Sequence, residues 1–205
     1  MSSNSTIASQ VELVPANCFG PLDFEEVFAR RAPMEIDLGS GDGSFLVGMA
    51  AANPEHDFVG VERLLGRVGA TCRRIERHGL TNARVFRFEI AGAVERLLPA
   101  DSVTAFHILF PDPWPKRRHA SRRLLNDKFL TALHRALVLG GTVRIATDDT
   151  AYFHEIGAVI SRVPFFRVVP DLVAPTIPTT KFERRFLEEA VPIHRISLRK
   201  VSPVT

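Results

Sequence analysis

The chain has 205 residues, of which 45% are hydrophobic, and a formal net charge of +3. This supports one substantial core, so we expect a flexible tail at 1–14 and a single domain at 15–200. Its two cysteines are not spaced as metal ligands, and no apolar run approaches the length of a membrane span. With no secretory signal visible, we expect a cytoplasmic protein with no metal and no membrane partner.

Short apolar runs alternate with amphipathic stretches along the chain. Strands are expected at 34–38, 57–61, 84–88, 103–109 and 142–147, and helices at 43–52, 64–78, 125–138 and 151–162. Two later strand-like runs, 165–169 and 191–199, have no good crossover helix between them, which indicates an antiparallel hairpin. The pattern predicts an α/β fold, a doubly wound, mostly parallel seven-stranded sheet with an antiparallel C-terminal hairpin.

A glycine-rich turn follows the first predicted strand, where residues 35–43 read EIDLGSGDG. Glycines permit positive φ angles and let a cofactor approach the backbone, so Gly39 and Gly41 are candidate cofactor contacts. The three acids of this segment would repel a pyrophosphate but suit the ammonium and sulfonium of S-adenosylmethionine. Ser44 stands where a dinucleotide fingerprint has its third glycine. The turn therefore favours S-adenosylmethionine over a nicotinamide cofactor.

Acids follow the next two strands and are candidates for binding the rest of a nucleoside. Glu62 ends the second strand, at a spacing that suits hydrogen bonds from ribose hydroxyls. Glu89 follows the third strand and either lies near the adenine or caps its own loop.

The fourth strand runs into a proline-rich segment, residues 110–117, with the sequence FPDPWPKR. Three prolines prevent both a helix and a continued strand, so the chain leaves the sheet as a stiff loop. That loop carries Asp112 and the only tryptophan, Trp114, which either stacks on a base or packs beneath the loop. Five of the 26 lysines and arginines lie between 116 and 123. An acid, an aromatic ring and a cationic cluster together indicate a reaction site that binds a polyanionic substrate.

Together these motifs resemble those of the bacterial tRNA (guanine-N7-)-methyltransferases. That family has the Rossmann-like fold of class I methyltransferases, which use S-adenosylmethionine. The matching segments are EIDLGSG at 35–41, GVE at 60–62, FPDPW at 110–114 with Lys116, Arg122–Arg123, ATD at 146–148 and TKFE at 180–183. They occur in the order of the family from about residue 34 to 186. Departures are Glu89 where the family has Asp, Asp149 where it has an aromatic residue, and RRFLEE at 184–189 in place of a glycine-containing stretch.

The resemblance implies an enzyme that methylates N7 of a guanine in tRNA, usually nucleotide 46 in the variable loop. It implies that Glu35, Glu62 and Glu89 bind the cofactor and that Asp112 lies at the reaction centre beside it. The residues implied to contact tRNA are Lys116, Arg122, Arg123, Asp148, Thr180, Lys181, Phe182 and Glu183. Alternatives are methylation of another RNA site, or a catalytically inactive RNA-binding relative. The sequence leaves open a monomer or a homodimer.

The chemistry of the target sets what the side chains must do. Guanine N7 carries an in-plane lone pair and no proton, so transfer of a methyl group needs no base. Asp112 is therefore expected to position the guanine and stabilise its developing positive charge, or else to cap the turn. The arginines of the cationic cluster are expected to track phosphates. Asp148 either holds an exocyclic amine of the guanine or caps the following helix, and His107 is expected to be a core residue.

Overall fold

The computed structural model describes residues 11–14, 20–114, 118, 123–170 and 178–202. Its strands, numbered in chain order, are β1 Glu12–Leu13, β2 Met34–Leu38, β3 Asp57–Glu62, β4 Ala83–Arg87, β5 Val103–Leu109, β6 Leu137–Thr147, β7 Phe166–Val169 and β8 His194–Lys200. The helices are α1 Phe24–Phe28, α2 Ser44–Ala52, α3 Leu65–Arg77, α4 Ile90–Gly92 with a π-helical continuation Ala93–Leu97, α5 Asp127–Ala136, α6 Thr150–Ile160 and α7 Lys181–Glu188.

All of these strands belong to one sheet, in the order β1-β4-β3-β2-β5-β6-β8-β7. Strands β1 to β6 pair in parallel, whereas β8 runs antiparallel to both β6 and β7. The predicted α/β fold, with its mostly parallel sheet and antiparallel C-terminal strands, is confirmed. The described part of the chain has eight strands rather than seven, because Glu12 and Leu13 of the predicted tail pair with β4.

Two apolar layers enclose the sheet, one on each face. On one face, α2 and α3 pack onto the inner strands; α3 buries Val68, Cys72 and Ile75 and turns its arginines outward. On the other face, α5, α6 and the π-helical segment cover the sheet through residues such as Phe129 and Tyr152. Burying both faces explains why the central strands contain few exposed positions.

Three helical elements were not expected from the sequence, namely α1, α4 with its π-helical continuation, and α7, and one strand begins earlier than predicted. Helix α7 lies between β7 and β8, in a region where proline and threonine suggested a loop, and α1 has only five residues. Helix α5 ends at Ala136, and β6 starts at once and includes Gly140 and Gly141, which were expected to follow the helix. Gly140 has φ +81°, and the register of β5 with β6 shifts between Val103 and Ala105, so the glycines mark an irregular strand start.

The parallel order fixes where the loops meet. Strands β2, β3 and β5 are neighbours, and their carboxyl ends lie at one edge of the sheet. The glycine turn, the loop after Glu62 and the proline-rich loop therefore converge there, as is usual for ligand sites in such sheets.

Candidate active site at the carboxyl edge of the sheet

The glycine turn is held tightly against β3. Gly39 N and Ser40 N both donate to Val61 O, at 2.8 and 3.2 Å. Gly39, Gly41 and Gly43 have φ angles of +89°, +57° and +73°, a region that residues with a Cβ rarely occupy. At Gly43 a Cβ would also lie 2.6 Å from the Thr71 side chain. The predicted glycines thus form an open backbone surface at the start of α2.

Asp37, at the carboxyl end of β2, is the residue that the sequence-based assignment missed. It is 4% exposed, lines the cavity in front of the glycine turn, and its Oδ2 has no hydrogen-bond partner among the described residues. Burial raises the pKa of this carboxyl to about 7, and the negative charge of Glu62 adds to the effect. A cation arriving in the cavity would satisfy this carboxylate. Strand alternation was the available signal, because residue 37 shares a face with residue 35 but lies closer to the turn.

Glu35, the expected cofactor contact, points into the protein instead. Its two carboxylate oxygens each lie 2.7 Å from a histidine nitrogen, His56 Nδ1 and His107 Nε2. Burial alone would raise the pKa of Glu35, but the bonds and charges of the two histidines outweigh it and leave that pKa below its ordinary value. Glu35 is not among the described residues that line the two cavities at this edge. His107 is 2% exposed, in agreement with the expected core histidine.

Glu62 joins two loops through its carboxylate. It accepts hydrogen bonds from Gly41 N at 3.2 Å and from Leu64 N at 2.9 Å, and it is 5% exposed. Glu89 is exposed and caps α4, accepting from Ala91 N at 3.0 Å and Gly92 N at 2.7 Å. Both glutamates nevertheless line one cavity, so capping and a ligand contact by Glu89 are compatible.

The proline-rich loop carries Asp112 between two residues in the left-handed region. Phe110 has φ +55° and Trp114 has φ +44°, which is unfavourable for residues with bulky side chains. Phe110 N donates to Ala146 O of β6 at 2.8 Å, which anchors the start of the loop. Asp112 is exposed at the rim, and Trp114 is partly buried against the same cavity. The loop therefore presents the carboxylate of Asp112 outward, over the edge of the sheet.

Two adjoining cavities of about 260 and 450 Å³ lie at this edge. The larger one contacts Glu62, Glu89 and Ile90, and the smaller one contacts Asp37, Ser40 and Phe182. They share the lining residues Gly39, Arg67, Leu109, Phe110 and Asp112. Their combined size is that of a small-molecule site, typically about 300–1,000 Å³. Asp112 lies where the two cavities meet.

Helix α7 brings the TKFE segment to the rim of the smaller cavity. Thr180 Oγ1 accepts a hydrogen bond from Glu183 N at 2.9 Å, and Thr180 N donates one to the Glu183 carboxylate. These two bonds form a capping box at the start of α7. Glu183 also forms an ion pair with Arg195 of β8. Lys181 and Phe182 project to the cavity, and the Phe182 ring is 49% exposed. Thr180 and Glu183 thus hold the start of the helix, and Thr180, Lys181 and Phe182 line the cavity.

The remaining expected tRNA contacts divide into three cases. Lys116 and Arg122 lie outside the described residues. Arg123 is bonded to the backbone of the proline-rich loop and to Glu155. Asp148 is half-buried after β6, and the cap of α6 is Asp149, which accepts from Tyr152 N at 2.7 Å. The capping role considered for Asp148 therefore belongs to its neighbour.

The sequence of this chain is similar to those of known proteins. A family model described as "putative methyltransferase" matches residues 31–196. The tRNA (guanine-N(7)-)-methyltransferase of Nitrosomonas eutropha is 38% identical over 168 residues, covering 80% of this chain and 75% of the relative. That of Syntrophotalea carbinolica is 35% identical over 184 residues, covering 88% of this chain and 79% of the relative. This chain belongs to the tRNA (guanine-N7-)-methyltransferase family. The resemblance inferred from the motifs is confirmed.

Solved structures agree on the fold of this family member. A SAM-dependent O-methyltransferase from Thermotoga maritima superposes with a TM-score of 0.58 at 15% identity, covering 90% of this chain and 68% of that one. In the described ranges, no helix has the length and apolar character to cross a membrane, and no cluster of three or more His, Cys, Asp or Glu suits a metal ion.

Proposed function

We propose that this protein transfers the methyl group of S-adenosylmethionine to N7 of a guanine in tRNA, the guanine of nucleotide 46 in the variable loop. The observation that carries the proposal is the position of Asp112 where a cofactor-sized cavity meets a second cavity with an exposed aromatic rim. Membership of the family supports the reaction type.

The residues at the glycine turn fit the cofactor. The buried Asp37 carboxylate has an unpartnered oxygen, and a sulfonium or ammonium group would supply the missing positive charge. Glu62 offers acceptor capacity for ribose hydroxyls, and the glycine turn leaves room for a close approach to the backbone. Glu89 and Ile90 line the far part of the larger cavity, where we assign the adenine. The bound cofactor supplies an electrophilic methyl group.

Asp112 acts on the guanine as a positioning and electrostatic group. N7 has a free lone pair, so no proton has to be removed, and the base becomes positively charged as the methyl arrives. A carboxylate at the meeting point of the two cavities favours that charge. The exposed ring of Phe182 rests against Phe186, with ring centroids 6.3 Å apart, and offers a face on which the base stacks.

Cationic side chains at the rim suit an RNA backbone. Lys181 on α7 is exposed and lines the smaller cavity. We assign Lys181 to a phosphate near the guanine and Asp148 to the edge of the base. Arg67 on α3 lines both cavities, but its Nη1 already lies 3.6 Å from Glu62 Oε2. We assign Lys116 and Arg122 to phosphates as well, as the family resemblance implies. We expect the protein to act in the cytoplasm, as a monomer or homodimer.

The test is a methyl-transfer assay with labelled S-adenosylmethionine and bulk tRNA that lacks 7-methylguanosine. We expect label in tRNA, located at nucleotide 46 by nuclease digestion and mass spectrometry. Asp112→Asn keeps the shape and removes the charge, and should lower kcat on the order of 100-fold while tRNA affinity changes little. Asp127→Asn, on the exposed start of α5, is the matched control and should leave kcat unchanged.

Other outcomes select the alternatives. Label at a different nucleotide would identify another RNA site while keeping the chemistry. Measurable binding of cofactor and tRNA with no transfer by the wild-type protein would contradict the enzymatic proposal and indicate an RNA-binding relative.

A further inference from the structure

Arg123 is the last residue of the cationic cluster, yet its guanidinium turns inward to the proline-rich loop. Its Nε donates to Pro113 O at 2.8 Å, and its Nη2 donates to Trp114 O at 3.2 Å. These are the carbonyls of the two residues that directly follow Asp112. The Arg123 side chain is only 15% exposed. A planar guanidinium with donors in fixed directions is suited to holding two successive carbonyls, and a lysine is not.

The other side of the same guanidinium is anchored on α6. The Nη1 atom of Arg123 forms an ion pair with Glu155, and its Cζ atom lies 5.5 Å from the centroid of the Tyr152 ring. Tyr152 is 1% exposed, so it is a fixed part of the core. Arg123 therefore connects the loop after β5 to a helix that packs against the sheet.

The loop needs such a support because its backbone is strained. Trp114 has φ +44° and Phe110 has φ +55°, one at each side of Asp112. Strained residues persist only where surrounding contacts hold them. Phe110 is held by its bond to β6, and Arg123 holds the other side of the loop.

We propose that Arg123 is a positioning residue that fixes the Asp112 loop for methyl transfer, rather than a residue that binds tRNA phosphates. This inference rests on the proposed function, since it concerns the same reaction centre. Each of the three guanidinium nitrogens of Arg123 already bonds to a protein atom, and the side chain is mostly buried, so it is poorly placed to bind a phosphate. The role is one of geometry, because loss of alignment at a reaction centre lowers kcat without weakening binding.

Arg123→Lys separates the two roles, because it keeps the positive charge and loses the planar fork. A positioning role predicts that kcat at saturating tRNA falls roughly 10- to 100-fold, and that the Kd for tRNA and its dependence on salt stay unchanged. The single tryptophan gives a readout that needs neither cofactor nor tRNA. Acrylamide quenching of Trp114 fluorescence should become more efficient in the variant, because the loop is released.

Arg135→Lys is the matched control. Arg135 also donates to two backbone carbonyls, Val94 O and Leu98 O, both at 2.8 Å, but away from the cavities. It should show a comparable loss of stability with unchanged kcat and unchanged Trp114 quenching. If Arg123→Lys fails to fold, Glu155→Gln removes the anchor on α6, and it should raise Trp114 quenching and lower kcat in the same direction.

The inference is overturned if Arg123→Lys has wild-type kcat and wild-type quenching, or if Arg123→Ala instead weakens tRNA binding with a salt slope reduced by about one at unchanged kcat. The quenching result stands by itself if the wild-type protein does not methylate tRNA. In that case the proposed function fails, and the support of the loop by Arg123 is still tested.

Discussion

Replacing Asp37 by asparagine should stabilise the protein, and by an amount that depends on pH. The carboxyl is buried, one of its oxygens has no partner among the described residues, and its pKa is raised from 3.8 to about 7. A raised pKa in the folded state means that folding favours the protonated form. The wild-type protein therefore loses stability as the pH rises from about 4 to about 7, and the neutral amide does not.

The pKa difference sets the size of the effect. About three pKa units at about 1.4 kcal/mol each give an upper bound of about 4 kcal/mol above pH 7. At pH 5 the same relation gives about 2 kcal/mol, so the advantage of Asp37→Asn in the free energy of unfolding should grow by about 2 to 3 kcal/mol between pH 5 and pH 8.

Urea unfolding of both proteins at several pH values measures this directly. Asp42→Asn is a useful control, because hydrogen bonds from Ser44 and the charge of Arg74 outweigh burial and lower the pKa of Asp42, so its effect should be flat between pH 5 and 8. Asp37→Asn should also lose affinity for S-adenosylmethionine, since the charge that meets the cationic cofactor is gone. A difference in unfolding free energy that does not change with pH would refute this account of Asp37.

Two further substitutions test the reassignment of predicted contacts. Glu35→Gln leaves one of the bonds to His56 or His107 without a matched partner. The free energy of unfolding, measured by urea titration, should therefore fall by about 1 to 3 kcal/mol. Cofactor affinity, measured by calorimetry, should change little. A large loss of cofactor affinity in the folded variant would restore Glu35 as a direct contact. Thr180→Ala removes the capping box with Glu183 and should cost about 1 kcal/mol of stability, while KM for tRNA rises because the first turn of α7 frays. An unchanged KM would show that the cap does not support the rim.

The fold was predictable because its signals are local. The inner parallel strands β2, β3 and β5 are short, largely apolar runs, and the amphipathic spacing of α3 is visible in the sequence. Helix α7 was missed because only one of its residues, Phe186, is buried, and its start signal is the TKFE segment, which had been assigned to tRNA. Strand β1 was missed because a two-residue strand has too few positions to show alternation.

The sequence predicted the chemical groups of the site and its place in the sheet, but not every residue that lines it. The residues alone indicate which chemical groups are present: a glycine turn with acids, a strand-end glutamate and an aspartate on a proline-stiffened loop. All of them follow strands whose parallel order brings them to one edge. Which member of each group faces the cavity depends on packing between segments that are distant in the chain. Asp37 rather than Glu35 lines it, since two histidines from other segments occupy Glu35. Arg123 turns to the loop because Glu155 and Tyr152, some thirty positions away in the chain, lie beside it. Such choices depend on neighbours distant in sequence, and no local pattern records them.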